Sequence, residues 1–291
     1  MYDTLNKAIS HLFGATIIRR MPVSGGDIND AYRLDLSSGD TVFIKYQPGV
    51  EPDFFVGEKN GLIAMRQAGA DTPDVLGMGK EKGGAFLLLS FIKSKQRNAA
   101  YWPDLGHMLA TMHRAPTASL VPKKKYGFYA DNYAGRTRQI NTPNDSWVDF
   151  FRTARLGPFI KMVEHYFSPA DRKRAQYLLD HLDKYLPEPA FPSVLHGDLW
   201  GGNVMSDENG SPILIDPAVY VGHHEIDLGM TELFGRFPQS FYDAYYEIIP
   251  YEPGYEERKD LYNLYHLLNH LKLFGTGYLS PVVSIIRYYA G

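Results

Sequence analysis

The sequence predicts an α+β protein in two lobes, a small β-rich lobe over residues 1–92 and a larger, mainly helical lobe over 93–291. Three observations lead there. Up to about Phe91, short β-branched and aromatic runs alternate with Gly, Ser and Asp turns, interrupted by one helical stretch. Beyond that point apolar residues recur mostly at helical spacing. The 291 residues suffice for two lobes with a core each, and neither an internal repeat nor a low-complexity segment suggests another plan.

The elements follow in chain order. In VSGGDINDAYRLDL the pair Gly25-Gly26 separates an extended segment from a strand over Ala31 to Leu36, and Ser37-Ser38-Gly39-Asp40 turns the chain into the strand Thr41 to Gln47. A helix is expected from about Phe54 to Gln67, stopped at Gly69. VLGMGKEKGGAFLLLSFI supplies two more strands around a Lys-Gly-Gly turn. In the second lobe Leu105, Met108, Leu109 and Met112 mark one face of a helix. Residues 115–146 are rich in Pro, Gly, Asn and Tyr and show little periodicity, and a loop that long in a compact protein is usually functional. Trp147 to His165 and Pro169 to Tyr185 read as helical, Asn209-Gly210 as a tight turn between two short strands, and 225–275 as further helices.

Composition narrows the function. Net charge is −3 without a clustered basic face, which argues against a nucleic-acid partner, and the run Lys123-Lys124-Lys125 reads as a solvated loop. No stretch approaches the roughly 20 apolar residues of a membrane span, and the start shows no signal-peptide pattern, so the expected location is the cytoplasm, with no membrane partner. The absence of cysteine excludes thiol catalysis and leaves only oxygen or histidine ligands for a metal.

The chemistry concentrates in LHGDLWGGNVM, Leu195 to Met205, and in PILID, which ends at Asp216. Asn203 and Asp216 offer a hard cation two oxygen ligands from the two arms of one hairpin, which suits Mg²⁺ with substrate phosphates. Asp198 is then free to orient a hydroxyl and take its proton, as phosphoryl transfer requires. Asp, Asn and Asp in this order around a hairpin, with a histidine two residues before the first acid, is the arrangement of protein-kinase-like enzymes. The first lobe holds the complementary parts. Lys45 ends the strand VFIK, Glu58 lies on the next helix as its ion-pair partner, and Gly25 and Gly26 sit where a loop would cover phosphates. Ser90, Phe91 and Ile92 stand where a hinge would offer backbone groups to adenine. Taken singly each has a plain alternative: a turn at Asp198, an edge charge at Lys45, a solvated acid at Glu58. The bland reading must explain all of them at once. His266 and His270 are spaced to bind a metal, but their apolar helix favours core histidines.

These residues resemble the fructosamine kinase (ketosamine 3-kinase) family, a branch of the protein-kinase-like fold near the aminoglycoside and choline phosphotransferases. HGDLWGGNV is similar to that family's HGDLWSGN, and IDPAVYVGHHEIDLGMTELF to its IDPAVYYGHREADLAMTELF. The segment YGFYADNYAGRTRQINTPNDSWVDFFRTARLGP and the end LYHLLNHLKLFGTGY also match. The resemblance implies a bilobal protein-kinase-like fold with an ATP-binding lobe over 1–92 and a catalytic, substrate-binding lobe over 93–291. It implies ATP and Mg²⁺ as cofactors, Asp198 as catalytic base, Asn203 and Asp216 as metal ligands, and Lys45, Glu58, Gly25 and Gly26 around the nucleotide. The implied reaction phosphorylates O3 of a ketosamine, free or on a protein lysine, a deglycation repair step. Trp200, His223, His224, Asn132 and Tyr133 are the candidate acceptor contacts. Val221 and His224 depart from the family's usual Tyr and Arg, which puts acceptor preference in question: if that Arg binds the substrate or a phosphate, His224 would weaken the contact or make it pH-dependent near neutrality. An aminoglycoside or choline kinase, and a nucleotide-binding module without turnover, are the rival readings.

Overall fold

The computed structural model describes residues 3–23, 30–81 and 83–291, so the expected phosphate-covering pair Gly25-Gly26 lies outside the described residues. Strands β1 (Ile17–Pro22), β2 (Asp30–Leu36), β3 (Thr41–Pro48), β4 (Val75–Glu81) and β5 (Gly84–Ser90) form one antiparallel sheet in the order β1-β2-β3-β5-β4. Helix α1 (Asp3–Phe13) covers one face and α2 (Asp53–Gln67) the other. This explains the unbroken apolar run of β5. Phe86 and Leu88 pack toward Leu5 and Ile9 of α1, while Ala85, Leu87 and Leu89 pack toward Phe55 and Leu62 of α2. The sequence reading expected one helix in this lobe, and α1 is a second. Its amino terminus is tied down where the buried Glu81 carboxylate accepts the Leu5 N–H at 2.8 Å.

The second lobe contains α3 (Tyr101–Arg114), β6 (Asn132–Ala134), β7 (Thr137–Gln139), α4 (Trp147–Phe150), α5 (Gly157–Val163) and α6 (Pro169–Asp180). It continues with β8 (Ser193–Leu195), β9 (Val204–Ser206), β10 (Pro212–Leu214), β11 (Tyr220–Gly222), α7 (Glu225–Leu233), α8 (Gln239–Ile248), α9 (Tyr255–Phe274) and α10 (Leu279–Ala290). Helix α3 lies directly on α8, and a Cβ at Gly106 would stand 2.3 Å from the Phe241 carbonyl. A widened π turn at Phe151–Leu156 joins α4 to α5. Pro158 has no N–H to offer the Ala154 carbonyl, and the Arg155 side chain donates to it instead at 3.0 Å. The stretch 115–146 is not structureless, because β6 and β7 pair as a short hairpin. Helix α10 extends the helical region beyond the expected 275 and packs on α6 and α9.

Candidate active site

Strand parity places the lysine. Val42 and Ile44 of β3 turn toward α1, so Lys45 projects to the opposite face, toward α2 and the second lobe. Its Nζ lies 2.6 Å from Glu58 Oε1 and 2.6 Å from Asp216 Oδ1. Burial alone would drive the proton off, but Asp216 and Glu58 outweigh it and hold the Lys45 ammonium well above its usual range. The Glu58 carboxyl is pushed up by burial, with Asp216 adding repulsion and Lys45 opposing.

Asp198 follows β8 through His196 and Gly197. Gly197 has φ +81°, and a Cβ there would lie 2.2 Å from the Ala218 carbonyl, so the turn admits only glycine. The backbone N–H groups of His196 and Gly197 both donate to the buried Asp227 carboxylate, at 2.7 and 2.9 Å. Burial works against that charge, but hydrogen bonds from His113 and Gly197 with the nearby imidazoles hold Asp227 below the usual carboxylate range. The His196 Nδ1 accepts the Asp198 N–H at 3.2 Å, which assigns its proton to Nε2, 2.9 Å from the Ile215 carbonyl. Burial lowers His196, which favours the neutral ring that an accepting Nδ1 requires.

Asp198 is partly buried, and burial pushes its carboxyl up to about 7, opposed by Asn203 and reinforced by Asp216 and Asp227. Asn203 Nδ2 donates to the Asp198 carbonyl at 2.8 Å and to its Oδ2 at 3.2 Å. That orientation leaves Asn203 Oδ1 free of any donor among the described residues. Across the hairpin the Ile215 N–H donates to the Asn203 carbonyl at 3.1 Å and keeps the two arm ends side by side. Asp216 has φ +55°, a left-handed conformation that costs a non-glycine residue about 1–3 kcal/mol. Its Oδ1 meets Lys45, so the two sites left for a cation are oxygens, the donor type a Mg²⁺ ion takes. The far end of the hairpin is also fixed. Gly210 has φ +79°, and its Cβ position is occupied by the connector, 2.5 Å from the Gln96 carbonyl.

A second group, His223, Glu225 and Glu252, brings three ligand-type atoms within 4.8 Å. It does not suit a metal. His223 Nδ1 accepts the Glu225 N–H at 3.2 Å, so its Nε2 carries the proton, and the Arg258 guanidinium already pairs with Glu225 at 2.9 Å.

The remaining sequence candidates separate. Ser90 closes β5, where its Oγ accepts the Asp74 N–H at 2.8 Å, and Phe91 and Ile92 begin the connector, with Arg33 over the Phe91 ring. Trp200 is 40% exposed two residues past Asp198, and a Cβ at Gly202 would meet its indole at 2.4 Å, which accounts for the glycine there. His223 and His224 are a correction. Both rings are buried in the second lobe, His223 beside Trp147 and Tyr262 and His224 stacked on Phe191, so neither is presented to an acceptor. Burial lowers His224 to about 3, which also removes the expected pH effect near neutrality. Asn132 is buried too, with its Nδ2 on the Val219 carbonyl at 2.7 Å, while Tyr133 points to the other side of β6, against Phe54. Sequence reasoning missed Asp227 and His113, which hold the turn before Asp198 from behind. The signal available was an acid in the first turn of an apolar helix.

A lysine paired with a helix carboxylate in one lobe, above a turn and hairpin that present Asp198, Asn203 and Asp216 in the other, defines a class: ATP-dependent phosphotransferases of the protein-kinase-like fold. The solved aminoglycoside phosphotransferase APH(4)-Ia shares that fold, with a TM-score of 0.63 at 16% identity over 99% of each chain. Within the class the chain belongs to the fructosamine kinase family, whose profile matches residues 1–290. It is 40% identical over 276 residues to the chloroplastic protein-ribulosamine 3-kinase of Oryza sativa subsp. japonica, covering 92% of this chain and 77% of that one. A crystal structure from Haemophilus somnus 129PT, assigned as a fructosamine-3-kinase, matches with a TM-score of 0.85 at 28% identity, over 99% of this chain and 97% of that one. No described helix is long and apolar enough to cross a membrane.

Proposed function

We propose that the protein transfers the γ-phosphoryl group of ATP to O3 of a ketosamine, the adduct of a sugar with an amine or a protein lysine. Residues 1–92 act as the ATP-binding lobe and 93–291 as the catalytic lobe. Asp198 accepts the proton of the acceptor hydroxyl as its oxygen attacks phosphorus and ADP departs. Lys45, held by Glu58, neutralises phosphate charge. Asn203 Oδ1 and Asp216 would hold Mg²⁺, which supplies charge neutralisation on the transferring phosphate. Gly25 and Gly26 cover the phosphates, Ser90 to Ile92 meet the adenine, and the exposed Trp200 indole walls the acceptor. The 3-phosphate then leaves as inorganic phosphate by elimination, and water hydrolyses the imine left behind to free the amine, so the reaction serves deglycation in the compartment where the protein works, for which we propose the cytoplasm.

One observation carries this reading: the only carboxylate of the catalytic turn, Asp198, is raised to about 7, where a general base works best, and sits hydrogen-bonded to a metal-competent asparagine. The family relation supports the acceptor class. The test is ATP- and Mg²⁺-dependent turnover of a ribulose-lysine ketosamine beside choline and an aminoglycoside, with Asp198→Asn as control. Turnover of the ketosamine alone, lost in the variant, is the expected result. Turnover only with a rival acceptor overturns the substrate and leaves the phosphotransfer residues in place.

A further inference from the structure

We infer that the buried amides Asn132 and Gln139 are positioning residues that hold Asp216 in its metal-binding conformation. The inference rests on the reading of Asp216 as a metal ligand. Asp216 sits in a left-handed conformation that its own backbone disfavours, so its neighbours must impose it. Upstream, Ile215 is held by Asn203 and His196. Downstream, the Ala218 N–H donates to the His196 carbonyl at 2.8 Å. The next carbonyls take side-chain donors that lie far away in sequence. Gln139 Nε2 donates to the Ala218 oxygen at 3.1 Å, and Asn132 Nδ2 donates to the Val219 oxygen at 2.7 Å.

The direction of these amides is fixed from outside, so their donors cannot be exchanged for acceptors. Arg155 is fully buried and can only donate, and its Nη2 faces Asn141 Oδ1 at 2.7 Å. Asn141 Nδ2 must then face Asn132 Oδ1, at 2.9 Å, which turns Asn132 Nδ2 toward Val219. At the other end the Ala218 carbonyl and Asn132 Oδ1 can only accept, which turns Gln139 Nε2 toward them and leaves Gln139 Oε1 to accept the Tyr265 hydroxyl. Arg155 has no carboxylate partner among the described residues. The rings of Tyr220 and Phe150 lie 3.8 and 4.8 Å from its guanidinium carbon and help hold it there. The hairpin β6–β7 therefore works inward, as a clamp on the segment after Asp216, rather than as an acceptor contact. Helix α2 closes the same clamp, because Gly57 lets it lie against Asn132 and Gly61 lets it lie against Val219.

Loss of a residue that orients a metal ligand typically weakens metal binding 10- to 100-fold. The experiment measures Mn²⁺ affinity from the electron paramagnetic resonance signal of the free ion, with a non-hydrolysable ATP analogue present. Variants are Gln139→Met, Asn132→Ala and Asp216→Asn, with Tyr265→Phe retaining the Gln139 donors. Gln139→Met and Asn132→Ala should bind Mn²⁺ about tenfold more weakly while melting cooperatively. Their kcat should return toward wild type at saturating Mg²⁺, so that the metal KM rises and kcat does not fall in step. Tyr265→Phe should keep most of the affinity. Folded variants whose Mn²⁺ affinity stays within twofold of wild type overturn the clamp. So does failure of both to fold, which would make the cluster a folding element. If Asp216→Asn binds Mn²⁺ like wild type, the metal reading itself is wrong, whatever the clamp variants do.

Discussion

Asp198 is the residue at which function and stability pull apart. Its carboxyl is near 3.8 in an unfolded chain and about 7 in the fold, because burial and two neighbouring acids disfavour its charge. Between those values the folded state binds the extra proton, so this group favours folding below pH 4 and loses that contribution as pH rises through 7. At pH 8 the ionised side chain therefore destabilises the protein. Three pH units correspond to about 4 kcal/mol, and partial exposure to solvent reduces this to on the order of 2. Asp198→Asn should abolish turnover yet raise the urea midpoint at pH 8, with a smaller gain at pH 5. An unchanged midpoint would mean that the carboxylate is not strained in the free enzyme. The same value predicts that kcat/KM falls about tenfold per unit below pH 7. The meeting of Asp198 with Asn203 was legible in the sequence because the two stand at a fixed short spacing around one turn. His223 and His224 were misjudged because burial is a property of packing, which two adjacent histidines after a glycine do not reveal.

Among the elements, α2 joins the two lobes, and its glycines decide how closely. A Cβ at Gly57 would lie 2.6 Å from the Asn132 Cβ and 3.0 Å from its Cα, atoms that cannot yield without moving the hairpin. At Gly61 the nearest atoms are the Val219 Cγ2 at 3.0 Å, its Cβ at 3.3 Å and the Pro217 Cγ at 3.4 Å, side-chain atoms that need give by only a few tenths of an ångström. Alanine at either position gains about 1 kcal/mol of helix propensity. Gly61→Ala should therefore be neutral or slightly stabilising. Gly57→Ala should lose about 1–3 kcal/mol to overpacking and displace Glu58 from Lys45, raising the KM for ATP severalfold. Urea melts and ATP titrations of the pair check this, and equal behaviour of the two variants would refute it. The strands and α2 were legible from alternation and helical spacing. Helix α1 was not recognised although Leu5, Ala8 and Ile9 carry the spacing, because a short helix at a terminus has no flanking signals. The hairpin β6–β7 was hidden because its inward residues are Asn132, Ala134, Thr137 and Gln139, three polar and one small, so no apolar period-2 pattern marks it.

At the scale of the whole molecule, buried histidines set the acid limit. Burial lowers His196, His223, His224, His266 and His270, the third and fourth to about 3. Each holds its proton less readily in the fold than in the unfolded chain, so each withdraws stability as pH falls from about 6.5 toward its folded value. Three raised carboxyls, Asp198, Glu58 and Glu225, run the other way, because burial keeps protons on them in the fold. Below about pH 6 most of the five imidazoles are charged in the unfolded chain, and their proton uptake on unfolding exceeds what the three carboxyls release, so stability falls with pH. The urea midpoint should thus fall between about pH 6 and 5, with net proton uptake on unfolding. A flat profile over that range would show that the histidines are not held neutral in the core. The catalytic limb lies higher, near pH 7, so a sample at pH 6 should have lost most of its rate while remaining folded. Returning it to pH 7.5 should restore the rate at once, whereas a sample taken past the unfolding midpoint must refold two lobes before Lys45 meets Asp216 again.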